Sequence, residues 1–216
     1  MATWIAHMRV AEKILNTRKD FEVESFLLGN VGPDSGVPNE DWSNFDPPKK
    51  ITHWQLSEKG IDAEAFFNKY IEDQNKNCSE YYFKLGYYVH LLTDIEWHTI
   101  YMEKKKTKLY KDGLDKDKNF IWVIKKDWYG LDYLYLEQHP ESLFYKVFQH
   151  VKEVPDYLDY FPKGAFTRQV KYITEFYLGE NNENKDNFVY LSKEEMDNFV
   201  EERSRKIIEK MKIKGL

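Results

Sequence analysis

The residues best suited to chemistry are His90, Asp94 and His98, spaced four apart in the segment "FKLGYYVHLLTDIEWHTIY" (83–101). Positions four apart on an α-helix differ by about 40° in direction, so these side chains follow one slowly drifting stripe. Imidazole nitrogens and carboxylate oxygens are the ligands that zinc and similar divalent ions accept in catalytic sites. The spacing therefore predicts a metal site on one face of this helix.

A buried polar network without metal is the alternative interpretation of the same residues. Most of their neighbours are apolar or aromatic, so an unpaired Asp94 carboxylate would cost several kcal/mol unless a cation or another partner compensated it. No Lys or Arg lies between Gly86 and Met102. The compensating group must come from elsewhere in the chain or be a metal ion, and the residues alone leave both interpretations open.

Three further candidates lie in separate segments. His7 follows the apolar stripe of a predicted first helix, Asp34 lies in the turn "GPDSG", and His53 lies in a long segment that contains three prolines. Each also has a structural interpretation: His7 could pack in the core, Asp34 could cap an Asx turn, and His53 could be a surface residue. The stretch "KKDWYGLDYLYL" (125–136) adds Asp127 and Asp132 at the predicted boundary between core and solvent.

Helices must position these residues. Apolar side chains recur at three and four residues along most of the chain, and Ser192 with Glu195 predicts a capping box for the last helix. No alternating strand of useful length is found. We therefore predict an all-α fold in a single domain, 1–216, with the metal site between helices and a long loop over 37–61. The predicted helices are 3–16, 21–28, 63–74, 79–105, 117–138, 141–151, 166–178 and 192–213.

Composition limits the function classes. The 216-residue chain is 42% hydrophobic and 32% charged with a net charge of -5, which is typical of a globular protein and argues against binding to duplex nucleic acid. The single cysteine, Cys78, favours a reducing compartment. No apolar run has the length of a transmembrane segment, and charges interrupt the N-terminus, so we expect a cytoplasmic protein for which peripheral lipid contact stays open.

Two motifs carry a family resemblance. "ITHW" (51–54) is followed by "YYFKLGYYVHLLTD" (81–94), and this pairing of Thr-His-aromatic with Leu-Gly and His-x3-Asp resembles the zinc-dependent phospholipase C family, which is related to the fungal single-strand nucleases. The resemblance covers roughly residues 1–135, with 136–216 as a helical extension packed on that part. It implies an all-α metallohydrolase.

The resemblance also implies roles for individual residues. His53, His90 and Asp94 would hold one zinc, Asp94 would bridge to a second ion bound by His7, and His98 would bind a further ion. Asp34 would lie beside the water that attacks phosphorus, so Asp34 and Asp94 are the implied catalytic residues. One to two zinc ions and a small phosphate-ester substrate, either a phosphodiester or a phospholipid-like head group, are expected, although another divalent transition metal would suit the same ligands.

The sequence departs from the family at a third ion site. There the family uses a His-x3-Glu pair, whereas this chain has Trp128 and Asp132 with Asp127 beside them, and tryptophan cannot replace histidine. The gap from Asp94 to His98 is also shorter than the family's. Two alternatives to an enzyme therefore stay open: a non-catalytic metal-binding helical domain that acts as an interaction or regulatory protein, and a helical interaction protein without metal.

Overall fold

The computed structural model describes residues 1–41, 43–55, 60–76, 78–117, 119–180 and 186–216. Within these ranges nearly all of the regular secondary structure is helical, which confirms the predicted all-α class. The helices are α1 (Trp4–Thr17), α2 (Val23–Gly29), α3 (Lys49–Thr52), α4 (Ala63–Tyr70), α5 (Ser79–Lys106), α6 (Lys108–Lys116), α7 (Phe120–Gln138), α8 (Leu143–Lys146), α9 (Ala165–Leu178) and α10 (Lys193–Ile213).

Several predicted boundaries differ from the structure. The helix predicted over 141–151 is the single turn α8 followed by a 3₁₀ turn, Phe148–His150, because the backbone leaves helical geometry at Val147. The loop predicted over 37–61 contains α3 and a two-stranded antiparallel ladder, in which β1 (Val37–Pro38) pairs with β2 (Phe45–Asp46). Residues 42 and 56–59 of that segment lie outside the described residues.

Helix α5 is the central element and contacts α1, α2, α4, α6 and α10. Its side chains are buried on nearly every side from Tyr81 to Trp97, after which the helix emerges into solvent. A helix surrounded in this way must be apolar all round, which accounts for the aromatic-rich sequence before His90. The polar residues His90 and Asp94 therefore lie in the interior of the protein.

Two glycines bring α2 and α5 unusually close together. A Cβ atom at Gly86 would overlap the carbonyl oxygen of Phe26, and a Cβ atom at Gly29 would overlap that of Phe83. Only glycine allows such an approach of two backbones. The close crossing brings the carbonyl of Asn30, directly after α2, to the His90 side chain.

Thr3 is the N-cap of helix α1, and its side chain accepts a hydrogen bond from the Ala6 N–H. The same hydroxyl donates to Asp132 of α7 at 2.7 Å, and Tyr177 of α9 donates to the other oxygen of that carboxylate at 2.6 Å. Asp132 thus ties three helices together. Four residues after its cap, α1 carries His7 into the interior.

The motif "THW" forms the end of α3. His53 is the C-terminal cap of that helix, and Trp54 adopts a left-handed backbone conformation with φ of 52°. This turn is held by hydrogen bonds: the Trp54 indole donates to the Tyr160 hydroxyl at 3.4 Å, Tyr160 donates to Tyr87 at 3.1 Å, and Tyr87 donates to the carbonyl of Thr52. The network fixes the direction in which His53 leaves the helix.

Candidate metal centre

Two overlapping groups of possible metal ligands lie at the meeting point of α1, α5, the end of α3 and the 3₁₀ turn Gly32–Asp34. The first is His7, His90 and Asp94, and the second is Asp34, His53 and His90. Within each group, one ligand atom per residue lies within 4.8 Å of the others, and His90 belongs to both. The three imidazoles are fully buried, and Asp94 is 2% exposed.

Asp94 lies at the centre of the three histidines. Its Oδ1 is 3.4 Å from Nε2 of His7, and its Oδ2 is 3.3 Å from Nε2 of His90 and 3.6 Å from Nε2 of His53. The two carboxylate oxygens therefore face different imidazoles. A carboxylate placed in this way can bridge two ions or bind one of them at either oxygen.

Backbone carbonyls orient two of the imidazoles. Nδ1 of His90 lies 2.8 Å from the carbonyl oxygen of Asn30, and because a carbonyl only accepts, this nitrogen carries a proton, which leaves Nε2, facing Asp94, as the ring atom that can bind a metal ion. Nδ1 of His53 lies 3.2 Å from the Lys49 carbonyl and 2.9 Å from the Thr52 hydroxyl, so its Nε2 also faces the centre. Metal-bound histidines are commonly oriented by such a hydrogen bond from the second ring nitrogen.

Several buried polar atoms in this centre have no hydrogen-bond partner among the described residues. They are both ring nitrogens of His7 and Oδ2 of Asp94. A buried unsatisfied polar group costs about 1–3 kcal/mol, and more when it is charged. A divalent cation would satisfy the Asp94 oxygen and the imidazole lone pairs together, and nitrogen with carboxylate oxygen is a donor set that zinc accepts. The residues present therefore fit the metal.

The electrostatics of the centre keep both carboxylates ionised. Burial acts to raise the pKa of Asp94, but the neighbouring His90 and His7 outweigh it and hold that pKa well below the ordinary value. Burial also acts to raise the pKa of Asp34, but His53 and His90 outweigh it and lower that pKa below the ordinary value. Two negative charges beside three imidazoles form an attractive site for a cation.

The pKa values of His7 and His90 shift in opposite directions. Burial and the nearby His90 lower the pKa of His7 to about 4, so His7 is neutral at physiological pH. The pKa of His90 is raised, because attraction to Asp94 exceeds the opposing effect of burial. A proton and a metal ion therefore compete for the same lone pair of His90.

Asp34 connects the buried centre to a cavity. Its Oδ1 lies 3.5 Å from Nε2 of His53, and its Oδ2 accepts a hydrogen bond from the Trp4 indole at 3.0 Å. It also lines a small cavity of about 60 Å³, whereas none of the other four candidate ligands does. A substrate that entered this cavity would meet the centre at Asp34. The remaining lining residues are Met1, Ala2, Thr3, Trp4, Lys49, Lys125, Trp128 and Tyr129.

The structure does not bring the remaining predicted ligands to the centre. His98 is exposed on the part of α5 that has left the core. Asp127 accepts a hydrogen bond from the backbone N–H of Tyr190, and Asp132 is bonded to Thr3 and Tyr177. These three residues stand outside both ligand groups. The candidate ligands that the structure brings together are His7, Asp34, His53, His90 and Asp94.

The residues at the third ion site implied by the resemblance, Trp128 and Asp132, have structural roles in this chain. Trp128 is buried and packs edge-on against Trp97, with 5.0 Å between ring centroids. Asp132, one turn further along α7, supports the start of α1 rather than a ligand group. Neither residue presents a free ligand atom to the centre.

Some contacts of the site have no signature in the sequence. The backbone N–H of Ala2 donates to Oδ1 of Asp94 at 2.8 Å, and the carbonyl of Asn30 orients His90. Backbone groups are present at every residue, so no residue type could have indicated them. Trp4, Lys49 and Lys125 contribute side chains to the cavity. Only their positions relative to Asp34 distinguish these residues from other tryptophans and lysines of the chain.

Of the comparisons with known proteins, the one with family models gave a match. The family model described as zinc-dependent phospholipase C matches residues 6–213, which extends the similarity well beyond the segment that carries the two motifs. Searches of curated proteins and of solved structures gave no significant match. Among the helices of the described ranges, none combines the length and apolar character needed to cross a bilayer. Because the match spans nearly the whole sequence, the chain belongs to the zinc-dependent phospholipase C family.

Proposed function

We propose that this chain hydrolyses a small phosphate ester with the help of one or two zinc ions held by His7, Asp34, His53, His90 and Asp94. Membership of the family supports a metal-dependent phosphoester hydrolase in general. The assignment of the metal ligands is supported best by Oδ2 of Asp94. This buried carboxylate oxygen has no hydrogen-bond partner among the described residues and lies within 3.6 Å of two imidazole nitrogens. Such an arrangement is costly unless a cation compensates it.

The ligands divide between the two overlapping groups. His7 and Asp94 would hold one ion, Asp34 and His53 would hold the other, and His90 lies within reach of both. When bound, zinc would supply a lowered pKa for water and positive charge for the phosphate oxygens. The protein fixes the ligand directions through the Asn30 and Lys49 carbonyls, and it excludes water because the histidines are fully buried.

Asp34 is proposed as the residue that meets the attacking water. It is the candidate ligand that lines the cavity, and the Trp4 indole fixes one of its oxygens. Because its pKa is held below the ordinary value, Asp34 is a weak proton acceptor. Its proposed role is therefore to orient the water and to bind metal, more than to act as a strong general base.

The test is turnover of phosphate esters by protein loaded with zinc. We expect hydrolysis of a chromogenic phosphate ester by the wild type and loss of at least about a hundredfold in kcat/KM in His90→Ala, since removal of one essential charge interaction costs about 3 kcal/mol or more. His98→Ala is the matched control, because it removes an exposed histidine from the same helix. Equal activity in His90→Ala and wild type would overturn the proposal.

A non-catalytic metal-binding domain is the second candidate. It is favoured by one observation, the replacement of the third ligand pair by Trp128 and Asp132, both of which are engaged in packing or hydrogen bonds. Zinc bound stoichiometrically by the wild type, with no turnover of any phosphate ester, would support this alternative.

A reducing location, which the single cysteine Cys78 favours, stays a prediction.

A further inference from the structure

Two lysines line the cavity that leads to Asp34. Lys49 is the first residue of α3, four positions before His53, and Lys125 lies on α7, one turn before Trp128. Lys49 is exposed, and Lys125 is half-buried. Neither side chain belongs to a ligand group, so their positive charges are an additional feature of the cavity.

The ammonium groups of these two lysines contact aromatic rings within the described part of the chain. The Lys125 ammonium lies over the ring of Trp122 at 4.7 Å, and the Lys49 ammonium lies 5.0 Å from the ring of Phe45. Neither forms an ion pair with a carboxylate of the described residues, whereas many other lysines do. Lysines paired in that way are Lys13, Lys84, Lys104, Lys106, Lys108, Lys171, Lys193, Lys206, Lys210 and Lys214.

The lysines are close enough to influence each other and Asp34. Burial lowers the pKa of Lys125, the positive charge of Lys49 lowers it further, and the Asp34 carboxylate acts in the opposite direction. Lys49 in turn contributes to the lowered pKa of Asp34. Two like charges beside one small cavity repel each other, and an anion between them would relieve this repulsion.

Aromatic residues in the same lining raise a competing possibility. Trp4, Trp128 and Tyr129 border the cavity, and aromatic faces can bind a quaternary ammonium group. Two ammonium side chains at the same cavity would repel such a cation. Trp128 is also committed to its contact with Trp97 in the core. The charge of the cavity therefore favours an anionic ligand over a cationic one.

We propose, on the premise of the function proposed above, that Lys49 and Lys125 bind a second negative charge at the scissile phosphate, so that the preferred substrate is a phosphate monoester dianion. The lysines donate hydrogen bonds to the non-bridging phosphate oxygens and supply the positive charge that a third metal site would otherwise provide. A phosphodiester with a cationic head group carries one negative charge fewer than a monoester dianion, and the two lysines repel its ammonium group. It is therefore a poorer substrate.

The experiment compares three soluble esters with zinc-loaded protein: p-nitrophenyl phosphate, bis-p-nitrophenyl phosphate and p-nitrophenyl phosphorylcholine. Lys125→Met and Lys49→Met should lower kcat/KM for the monoester by about tenfold to a hundredfold, the usual effect of losing a hydrogen bond to a charged group. The phosphorylcholine ester should change by less than about threefold, because it does not supply the second charge. Lys50→Met and Lys126→Met are the matched controls, since both neighbours are exposed and outside the cavity lining.

A binding measurement separates this inference from the proposed function. Calorimetric titration of the zinc-loaded protein with inorganic phosphate should give an affinity that falls by about tenfold or more in Lys125→Met and is unchanged in Lys126→Met. If the wild type binds zinc and hydrolyses none of the esters, the proposed function fails, while the phosphate titration still tests the lysines. Equal phosphate affinity in Lys125→Met and wild type, or equal losses on all three esters, would overturn the inference.

Vesicles distinguish the source of the monoester. Phosphatidic acid presents the same dianionic group on a lipid, and phosphatidylcholine vesicles present a diester with a cationic head group. Release of phosphate from phosphatidic acid that depends on Lys125 supports a lipid substrate, and hydrolysis confined to p-nitrophenyl phosphate supports a soluble one. Faster hydrolysis of phosphatidylcholine than of either monoester would contradict the inference.

Discussion

The imidazole rings of His7 and His90 stack face to face, with 3.7 Å between their centroids and 3° between their planes. The rings come from α1 and α5, and each directs Nε2 toward a different oxygen of Asp94. Two parallel imidazoles can stack this closely when they are not both charged, in keeping with the lowered pKa of His7. The stack therefore fixes the directions of both Nε2 atoms before any ion arrives.

Asp94→Asn should abolish zinc binding and lower the stability of the metal-free protein. Without metal, we expect the variant to be less stable than the wild type, because the lowered pKa of Asp94 means that His90 and His7 stabilise its charge in the folded state, and removal of one partner of a buried ion pair is destabilising. With zinc, only the wild type should gain stability, since a ligand that binds the folded state raises its free energy of unfolding. Thermal unfolding with zinc and with chelator measures both effects.

His98→Ala serves as the control for this comparison. Its side chain is exposed, so zinc should stabilise it as it does the wild type. A zinc-dependent rise in Tm for Asp94→Asn equal to that of the wild type would show that Asp94 is not a ligand.

Gly86→Ala should disturb the site through the backbone. The new methyl group would overlap the Phe26 carbonyl and push α2 away from α5, which moves the Asn30 carbonyl from His90. Overpacking of this kind costs about 1–3 kcal/mol, and loss of a group that orients a ligand typically costs tenfold to a hundredfold in metal affinity. Urea unfolding and competition with a zinc indicator give the two quantities. Thr99→Ala, an exposed position on α5, should leave both unchanged.

Tyr87→Phe should loosen the turn that carries His53. The Tyr87 hydroxyl joins the Thr52 carbonyl to Tyr160, so its loss leaves a buried carbonyl without that donor. We expect a loss of about 1–3 kcal/mol in stability and a weaker affinity for zinc. Tyr82→Phe removes a hydroxyl bonded to the exposed backbone of Asp20 and is the comparison variant. A zinc affinity in Tyr87→Phe that equals that of Tyr82→Phe would argue against the positioning role.

Asp132 should give the free energy of unfolding a characteristic pH dependence. Burial raises its pKa to about 7, against hydrogen bonds from Tyr177 and Thr3 that favour the ionised form. Because the folded state then holds a proton that the unfolded chain has already released, this residue's contribution to stability falls as pH rises from about 4 to about 7. Between pH 5 and pH 8 the wild type should lose about 3 kcal/mol relative to Asp132→Asn. Urea unfolding of both proteins at the two pH values measures the difference, and a constant difference would contradict the raised pKa.

The sequence was informative wherever a side chain and its helical period determine position. The stripe through His90 and Asp94 lies in the interior as predicted, and "THW" indeed brings His53 to it. His98 continues the same stripe but is exposed, because α5 leaves the core after Trp97, and the end of burial depends on neighbouring helices. Periodicity fixes the face of a helix and leaves open how far along its length that face is covered.

The supporting contacts could not be predicted for a different reason. Asp132 was a reasonable ligand by residue type, but its partners, Thr3 and Tyr177, lie 129 and 45 residues away in the sequence. The carbonyl of Asn30 reaches His90 only because two glycines let α2 and α5 approach. Such relations depend on tertiary packing, which local patterns do not encode.

If His90 is a metal ligand shared by both groups, its removal should release most of the bound zinc, and metal analysis measures that loss. Protein purified without added metal, and again after exposure to zinc, is measured by plasma mass spectrometry for the wild type, His90→Ala and His98→Ala. We expect about one to two equivalents of zinc in the wild type and in His98→Ala, and a loss of most of it in His90→Ala. Less than about a tenth of an equivalent in zinc-exposed wild type would show that the cluster is a buried polar network, and full retention of zinc in His90→Ala would show that His90 is not a ligand.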